Sequence, residues 1–342
     1  MKRSSGMWMR REILEQPDVA ARVMERQWGA AARLGRELRR RDVRFAVLAA
    51  RGTSDHAATL GKYVFGCELG VPAALAAPSI ATLYGRPLRL DGAAVFGISQ
   101  SGRSPDIVEF LRQAARRGAI TIGITNEPGS PLARAARHCL FLHAGPERSV
   151  AATKTFTAEL VCLYLLAAGW LGGRRGADLL MDLGKVPEVL RNALGREDEI
   201  AAEAARSRRV ERCVVIGRGF AYPVALEVAL KLKEAAGVFA EGASAADFLH
   251  GPIGMARRQA GGRFRAVLLF SRGPGLPSMR RVERRLARAG AALLKLGPPA
   301  VPDRISPFPL ALWGQLAAYH LALEKGRDPD RPDGLTKVTR TK

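Results

Sequence analysis

The sequence predicts an α/β protein with two tandem, doubly wound parallel sheets, each covered by helices on both faces in a three-layer αβα arrangement. Three observations lead to this prediction. Short apolar runs of strand length alternate with segments of helical periodicity along the chain. A glycine-containing, amphipathic stretch over 173–206 interrupts the alternation. The alternation then starts again, and the second part resembles the first in sequence.

The chain opens with a predicted helical arm over residues 1–42. Apolar side chains recur at helical spacing between Met7 and Arg40, and Pro17 interrupts the pattern early. We expect this arm to pack on the main body or on a second subunit.

The first sheet domain is predicted over 43–172 and the second over 207–325, with a linker and its helix at 173–206. A polar tail with two prolines follows over 326–342. The predicted strands of the first domain are Phe45–Ala50, Val71–Ala76, Ala93–Ile98, Ala119–Thr125 and Cys139–His143, before a long apolar helix over Thr153–Trp170. Those of the second are Arg212–Ile216, Arg265–Phe270 and Ala291–Leu296, with a helix over Tyr222–Ala236.

The two sheet domains are predicted to be copies of one unit. Arg51 of the first aligns with Arg218 of the second, and Ser99 aligns with Ser271. Most hydroxyl groups of the first copy are absent from the second, so we expect the first to bind the ligand and the second to support it. The lost hydroxyls are those of Thr53, Ser54 and Ser101, whose places are taken by Phe220, Ala221 and Gly273.

The stretch GISQSGRSPD, Gly97–Asp106, carries the clearest functional signal. Ser104 before Pro105 is typical of a helix N-cap and the first helical position. A helix N-terminus attracts anions, and hydroxyls add neutral donors, so the stretch predicts a turn that holds a phosphate. It is not a Walker motif, because no Gly-Lys-Ser/Thr follows. An ordinary capped turn uses the same residue types, and the stretch alone leaves both interpretations open. Its polar side chains are Ser99, Gln100, Ser101 and Ser104.

A second hydroxyl-rich turn, Gly52-Thr53-Ser54, follows another predicted strand. The carboxyl ends of parallel strands meet at one edge of a sheet, where ligands bind, so we expect both turns at that edge. The polar loop Gly145–Thr155, which enters a long helix, is a third candidate.

Lys231 and Glu234 are three residues apart and therefore share one face of the predicted helix. Their apolar neighbours Leu230 and Leu232 indicate a partly buried helix. A glutamate whose pKa is set by burial and by a nearby ammonium suits proton transfer. The alternative is an exposed helix with a surface ion pair.

His250 is followed by Gly251-Pro252, which form a rigid turn that presents the imidazole. Histidine titrates near neutral pH, so a functional role is one interpretation. A structural or solvated histidine is the other.

The net charge of +22 suggests an anionic partner. The arginines are scattered over many helices and no nucleic-acid motif is present, so we expect a phosphorylated metabolite and no nucleic acid. No apolar run approaches the roughly 20 residues of a membrane span and no secretory signal is evident, which favours a cytoplasmic protein without membrane contact. The four cysteines lack metal-ligand spacing and are predicted to be buried and inert.

Six motifs resemble those of the sugar isomerase (SIS) family in order and spacing. Within that family the chain resembles the isomerase half of glucosamine-6-phosphate synthase and, through MRREILEQPDVAARV at 9–23, the stand-alone glucosamine-6-phosphate deaminases. The resemblance implies two flavodoxin-like subdomains. The motifs are RGTS at 51–54, SQSG-x-S at 99–104, GPE-x-x-VA-x-TK at 145–154, GRG-x-x-YPVALE at 217–227, LHGP at 249–252 and L-x-K-VT at 335–339.

The resemblance also implies a role for each matching residue. Glu234 would move a proton between C1 and C2 of the sugar, and Lys231 would stabilise the enediolate-type intermediate. His250, from the neighbouring subunit, would help to open the ring, and Lys337 would close over the site with the tail. The phosphate would be held by Ser54, Ser99, Gln100, Ser101 and Ser104, and the sugar by Gly52, Thr53, Val150 and Ala152.

The expected activity is conversion of glucosamine 6-phosphate to fructose 6-phosphate and ammonia by a homodimer without metal or cofactor. We expect a deaminase because no glutaminase half is seen before the isomerase module, and because Ala152 stands where the synthase has a sugar-contacting serine. The alternatives are another SIS isomerase, a deglycase, an aminotransferase-like enzyme and, in a different class, a non-catalytic sugar-phosphate sensor.

Overall fold

The computed structural model describes residues 6–256 and 263–337. Contacts divide the described chain into two units, each built from separate pieces of sequence. The N-terminal sheet unit comprises residues 18–147, 154–187 and 336–337. The C-terminal sheet unit comprises residues 6–17, 148–153, 188–256 and 263–335.

The predicted helical arm consists of two helices, α1 (Met7–Leu14) and α2 (Gln16–Arg40). Pro17 is the second residue of α2, where its missing N–H removes no intrahelical hydrogen bond. The long helix α2 packs on the main body of its own unit, because a Cβ at Gly169 would come 2.7 Å from the carbonyl oxygen of Ala31.

The N-terminal sheet contains five parallel strands in the order β2-β1-β3-β4-β5. This order confirms the predicted doubly wound sheet, and the order reverses between β1 and β3. All residues of β3 and β4 are buried, as expected for central parallel strands. The strands are β1 (Phe45–Ala49), β2 (Ala73–Leu75), β3 (Ala93–Ile98), β4 (Ile120–Thr125) and β5 (His138–Phe141).

Helices of this unit follow the strands in alternation, and the last of them is an interior helix. The helices are α3 (Thr53–Val64), continued by a π-helical turn at Phe65–Leu69, then α4 (Ser79–Thr82), α5 (Pro105–Arg116), α6 (Pro131–Ala135) and α7 (Lys154–Leu171). In the described part of the chain, α7 alone is long and apolar enough to cross a membrane, and 94% of it is buried inside the protein. Core helices share this composition.

The segment predicted as a linker with one helix contains three: α8 (Gly173–Gly184), α9 (Val186–Leu194) and α10 (Glu197–Arg206). Gly172, with φ of 60°, precedes α8 in a conformation that favours glycine. Leu183 of α8 and Leu190 of α9 are both buried, so each of these helices has an apolar side chain in the interior.

The C-terminal sheet has four parallel strands in the order β7-β6-β8-β9. This repeats the order β2-β1-β3-β4 and confirms the predicted duplication. The sequence did not predict β7, an edge strand whose run is broken by Glu241 and Gly242. The strands are β6 (Arg212–Gly217), β7 (Phe239–Ser244), β8 (Phe264–Leu269) and β9 (Ala292–Leu296).

The helices of this unit are α11 (Ala221–Glu234), α12 (Ala245–Leu249), α13 (Leu276–Arg288) and α14 (Pro307–Glu324), with short 3₁₀ turns at Pro252–Ala256 and Asp303–Ile305. Of the cysteines, Cys162 and Cys213 are buried, and burial raises the pKa of the Cys213 thiol to about 12. The prediction of four buried thiols is wrong for Cys67, which is exposed because it lies in the π-helical turn at the surface.

Candidate active site

The turn after β3 is held by its own hydroxyls and backbone. Ser99 is buried, its N–H donates to the carbonyl of Ile124 (3.0 Å), and its Oγ lies 3.3 Å from Ser104 Oγ. Gly102 has φ of 61°, and a Cβ there would approach Thr125 Oγ1 to 2.8 Å and the Ser130 side chain more closely still. Only glycine fits at position 102, because any side chain there would collide with Thr125 and Ser130.

The remaining polar groups of this turn surround the start of α5. Ser104 is the N-cap residue but makes no side-chain capping bond, so its hydroxyl is not committed to the helix. Ser101 is half-buried and accepts a hydrogen bond from the N–H of Arg103 (3.3 Å). The carbonyl of Gln100 accepts from Asn126 N–H at 3.0 Å, which ties the turn to the end of β4. Hydroxyls at a helix N-terminus can hold an anion.

The turn after β1 uses glycine in the same way but directs one hydroxyl inward. Gly52, with φ of 54°, precedes α3. The Ser54 hydroxyl donates to Glu159 Oε1 at 2.7 Å, in the buried interior. A phosphate contact from Ser54 would therefore come from its main-chain N–H, not from the hydroxyl that the sequence singled out. Burial raises the pKa of Asp55 in the same turn of helix, against the nearby charges of His56 and Arg51.

Arg51 joins the two turns. Its Nη2 lies 2.6 Å from Asp106 Oδ2, and its Nε donates to the same oxygen at 2.8 Å. The Asp106 side chain is 2% exposed, and its other oxygen accepts from the N–H of Ile107 (2.9 Å). This ion pair fixes the loop after β1 against the first turn of α5 and cancels the charge of Arg51.

In the C-terminal sheet unit, α11 ends in a buried charge cluster. Lys231 Nζ lies 2.5 Å from Glu234 Oε2 and 3.4 Å from Glu227 Oε1. Lys231 and Glu227 are fully buried, whereas the Glu234 side chain is 24% exposed. The exposed-helix interpretation is therefore wrong. The Lys231 ammonium donates to one Glu234 carboxylate oxygen, and the partial exposure of Glu234 leaves this carboxylate accessible from outside.

Lys337 forms an ion pair with a buried glutamate, Glu147. Its Nζ lies 3.0 Å from Glu147 Oε2, and the Glu147 side chain is fully buried. Thr155, near the start of α7, donates to the same carboxylate through its hydroxyl (2.7 Å) and its N–H (3.1 Å). Glu147 thus connects the described end of the tail to the first turn of α7 within the N-terminal sheet unit.

The backbone of Val150 is already engaged. Its N–H donates to the carbonyl of Asp330 at 3.1 Å, so a sugar contact from Val150 would use its carbonyl group or require this bond to open. The Asp330 carboxylate in turn accepts from the N–H groups of Trp8 (3.0 Å) and Met9 (2.7 Å) at the start of α1. Ala152 is half-buried in the same loop.

His250 follows α12 and is exposed. Its N–H donates to the carbonyl of Asp247 at 3.0 Å, which fixes the backbone of the turn. Within residues 6–256 and 263–337, no group of three His, Cys, Asp or Glu side chains is arranged to hold a metal ion.

Comparison with known families gives this arrangement a context. The family model "SIS domain" matches residues 41–169 and 208–291, which together exceed half of the chain. The chain belongs to the SIS domain family. The two matched ranges contain all five strands of the N-terminal sheet and β6, β7 and β8 of the C-terminal sheet, and the match confirms the resemblance seen in the sequence motifs.

Among curated relatives, this SIS chain is 37% identical over 349 residues to the glutamine–fructose-6-phosphate aminotransferase (isomerizing) of Methanothermobacter thermautotrophicus. The alignment covers 96% of this chain and 57% of the relative. The chain therefore spans little more than half the length of the curated relative that it matches.

Two solved structures share the arrangement. The C-terminal domain of glucosamine-fructose-6-phosphate aminotransferase from Francisella tularensis has a TM-score of 0.85 at 25% identity, covering 97% of this chain and 100% of that one. A Silicibacter pomeroyi protein, provisionally named a phosphosugar isomerase, has a TM-score of 0.81 at 34% identity, covering 94% and 99%. Both support two tandem SIS subdomains in this chain.

Several residues of the SIS site region escaped the sequence analysis. Glu159 was a visible signal, because it is a lone carboxylate in an otherwise apolar helix, and such a group needs a buried partner. Glu147 lies inside a quoted motif but had no assigned partner. The Arg51–Asp106 pair spans 55 residues, and no local pattern indicates that contact.

Proposed function

We propose that this protein isomerises a 6-phosphorylated amino sugar and releases its amine, converting glucosamine 6-phosphate and water to fructose 6-phosphate and ammonia. The observation that carries the proposal is the buried Lys231 in contact with the partly exposed Glu234. One partly exposed carboxylate beside a buried cation can serve two adjacent carbon atoms in turn.

The proposed chemistry divides between the two sheet units. The turns after β1 and β3 bind the phosphate through hydroxyls and helix N-termini, without a permanent positive charge at the phosphate because Asp106 neutralises Arg51. Anchoring the phosphate restricts the motion of the sugar to which it is attached. Lys337, held by Glu147, adds a cation that closes over the sugar.

The proposed reaction has three steps: proton abstraction from C2, proton return to C1, and hydrolysis of the C2 imine. Glu234 takes the proton from C2 of the open-chain aldose, and the electron pair moves into an enolamine while the C1 oxygen gains negative charge, which Lys231 stabilises. Glu234 returns the proton to C1, and the C1 oxygen takes a proton from the C2 nitrogen, which leaves a hydroxyl at C1 and a neutral imine at C2. Water adds to the imine carbon, the C–N bond breaks, and ammonia leaves as the C2 carbonyl forms.

The direct test is an assay with glucosamine 6-phosphate that measures ammonia and fructose 6-phosphate together. The proposal predicts that both form in equal amounts, and that Glu234→Gln stops the reaction. Absence of both products from a folded protein that binds the substrate contradicts it.

A second candidate is favoured by the name of the relative from Methanothermobacter thermautotrophicus, an aminotransferase. In that case the protein makes glucosamine 6-phosphate from fructose 6-phosphate, with nitrogen from glutamine or ammonia. Formation of glucosamine 6-phosphate from these reactants, with no ammonia release from glucosamine 6-phosphate, would support this candidate over the deaminase.

The proposal also assigns His250 to ring opening across a homodimer interface, in a cytoplasmic protein. Its support is the exposure of the imidazole on a fixed turn. Mixing the two inactive variants Glu234→Gln and His250→Ala tests this. If His250 acts in the partner's site, the equimolar mixture recovers about a quarter of wild-type activity. If it acts within its own chain, nothing is recovered, and full activity of His250→Ala alone would show that His250 has no role.

A further inference from the structure

The carboxyl edge of the C-terminal sheet carries two arginines that no carboxylate neutralises. Arg218 follows β6 and Arg272 follows β8, the neighbouring strand, and both side chains are exposed. The Arg218 guanidinium donates to Ser244 Oγ at 3.3 Å. Among the described residues, neither arginine has a carboxylate within ion-pair distance. The aligned residue of the other sheet, Arg51, is bound to Asp106.

Ser271 supplies an independent observation at the same edge. It is 4% exposed, and its hydroxyl makes no hydrogen bond to any residue that the structure describes. The aligned Ser99 instead accepts a bond from Gly102 N–H (3.2 Å) and lies near Ser104 Oγ. The Ser271 oxygen is not among the fully enclosed polar atoms that lack a partner, so it is reached from outside and can donate to a ligand or to solvent at this edge.

The local backbone brings these groups together. Gly275 packs on Arg218, because a Cβ at Gly275 would come 2.9 Å from Arg218 Cγ. The 271–275 turn therefore lies against the stem of Arg218. The fourteen-residue helix α11 begins three residues after Arg218, and its N-terminal N–H groups favour an anion.

Two carboxylates, those of Asp303 and Asp247, lie near this edge and reduce its net positive charge. The Asp303 carboxylate packs directly against Gly273. Burial, and the nearby Asp247 carboxylate, raise the pKa of Tyr222 in the first turn of α11. Neither carboxylate reaches ion-pair distance of Arg218 or Arg272, so both guanidinium groups keep their capacity for an anion.

We propose that this edge is a second anion site, which binds the phosphate group of a small ligand through Arg218, Arg272 and Ser271. Arginine presents paired donors that match phosphate oxygens. The site lies at the N-terminal end of α11, whereas Lys231 and Glu234 lie at its C-terminal end, about 20 Å away along the helix. The bound phosphate is therefore not that of the reacting sugar, and the site is one for an effector.

The experiment is a calorimetric titration of the full chain with inorganic phosphate. Wild type is expected to bind two phosphates per chain, one at each sheet edge, and the double variant Arg218→Gln/Arg272→Gln to bind one. The matched control is Arg33→Gln/Arg36→Gln, which removes two exposed arginines of α2 and should still bind two. Far-ultraviolet circular dichroism establishes that each variant is folded.

Unchanged binding in the Arg218→Gln/Arg272→Gln protein overturns the proposal, and so does an equal loss in the α2 control, which would indicate bulk charge alone. If the double variant does not fold, Ser271→Ala replaces it. That substitution should weaken the second phosphate at least about fivefold, and an unaltered second phosphate overturns the proposal. The outcome is independent of the deaminase assay, because no step of the reaction uses this edge.

Discussion

The two sheets share a strand order but carry different chemistry. The edge of the first sheet carries hydroxyl groups and no net charge from Arg51, because Asp106 forms an ion pair with that arginine. At the edge of the second, most hydroxyls are absent, and no carboxylate of the described residues lies within ion-pair distance of Arg218. The helices after β1 and β6 also differ, because buried apolar side chains in the first copy correspond to buried charged side chains in the second. With Arg51 matched to Arg218, the buried Leu60 and Val64 of α3 correspond to the buried Glu227 and Lys231 of α11.

The two copies therefore keep the same strand order but differ in the side chains at the sheet edge and on the helix that follows the first strand. Apolar packing fixes the strand order, so it survives in both copies. Edge hydroxyls and buried charges contribute little to that packing and can be lost from one copy. Substitutions in the first unit should therefore affect binding of the substrate, and those in α11 its chemical conversion.

The largest effect is expected from Lys231→Met. Removing a fully buried ammonium leaves Glu227 without that cation, which should lower the free energy of unfolding by about 3–5 kcal/mol. Urea unfolding followed by circular dichroism measures this. The double variant Glu227→Leu/Lys231→Met imitates the apolar pair of α3 and should recover most of the loss. A single variant as stable as wild type would show that the charge cluster is not buried as described.

Glu234→Gln should lower kcat about a hundredfold or more with little change in KM, because the amide keeps the shape and cannot accept the proton. Steady-state kinetics of ammonia release measures both constants. Glu324→Gln is the matched control, since Glu324 is also the last residue of a long helix in the same unit and is exposed. Near-normal turnover by the Glu234 variant would make that carboxylate a structural partner of Lys231.

Ser101→Ala should raise KM about tenfold while kcat stays nearly constant, because it removes one hydrogen bond to a charged phosphate far from the reacting carbons. The same kinetic assay applies, with Ser79→Ala, another serine of this unit, as the control. A collapse of kcat at constant KM would place Ser101 in the chemistry and would break the division between the two sheets.

The smallest effect is expected from Arg51→Met. Because the guanidinium is 48% exposed, its ion pair should be worth no more than about 1 kcal/mol, or up to about fivefold in KM. Arg41→Met, which breaks an exposed pair with Glu37, should leave KM unchanged. If Arg51→Met binds substrate as wild type does, the ion pair is not needed to align the two turns.

Local patterns predicted most of the fold and part of the site. The buried run before Ser99 and the Ser104-Pro105 cap determine a strand, turn and helix over short range. The spacing of Lys231 and Glu234 predicted a shared face, but their burial depends on β7 and α14, two elements that the sequence analysis did not identify.

Contacts between distant residues were not predictable from local patterns. Ser54 meets Glu159 across 105 positions, and Lys337 meets Glu147 across 190. Such pairs are set by tertiary packing, and no periodicity or motif in a single sequence encodes them.

The central claim is that the carboxylate of Glu234 moves a proton between C2 and C1. The most direct measurement follows glucosamine 6-phosphate in D₂O by NMR, for wild type and Glu234→Gln. We expect fructose 6-phosphate with deuterium at C1 from wild type, because a carboxylic acid exchanges its proton with solvent, and formation about a hundredfold slower in the variant. Absence of labelled product from wild type, or equal rates of labelling in the two proteins, would contradict it.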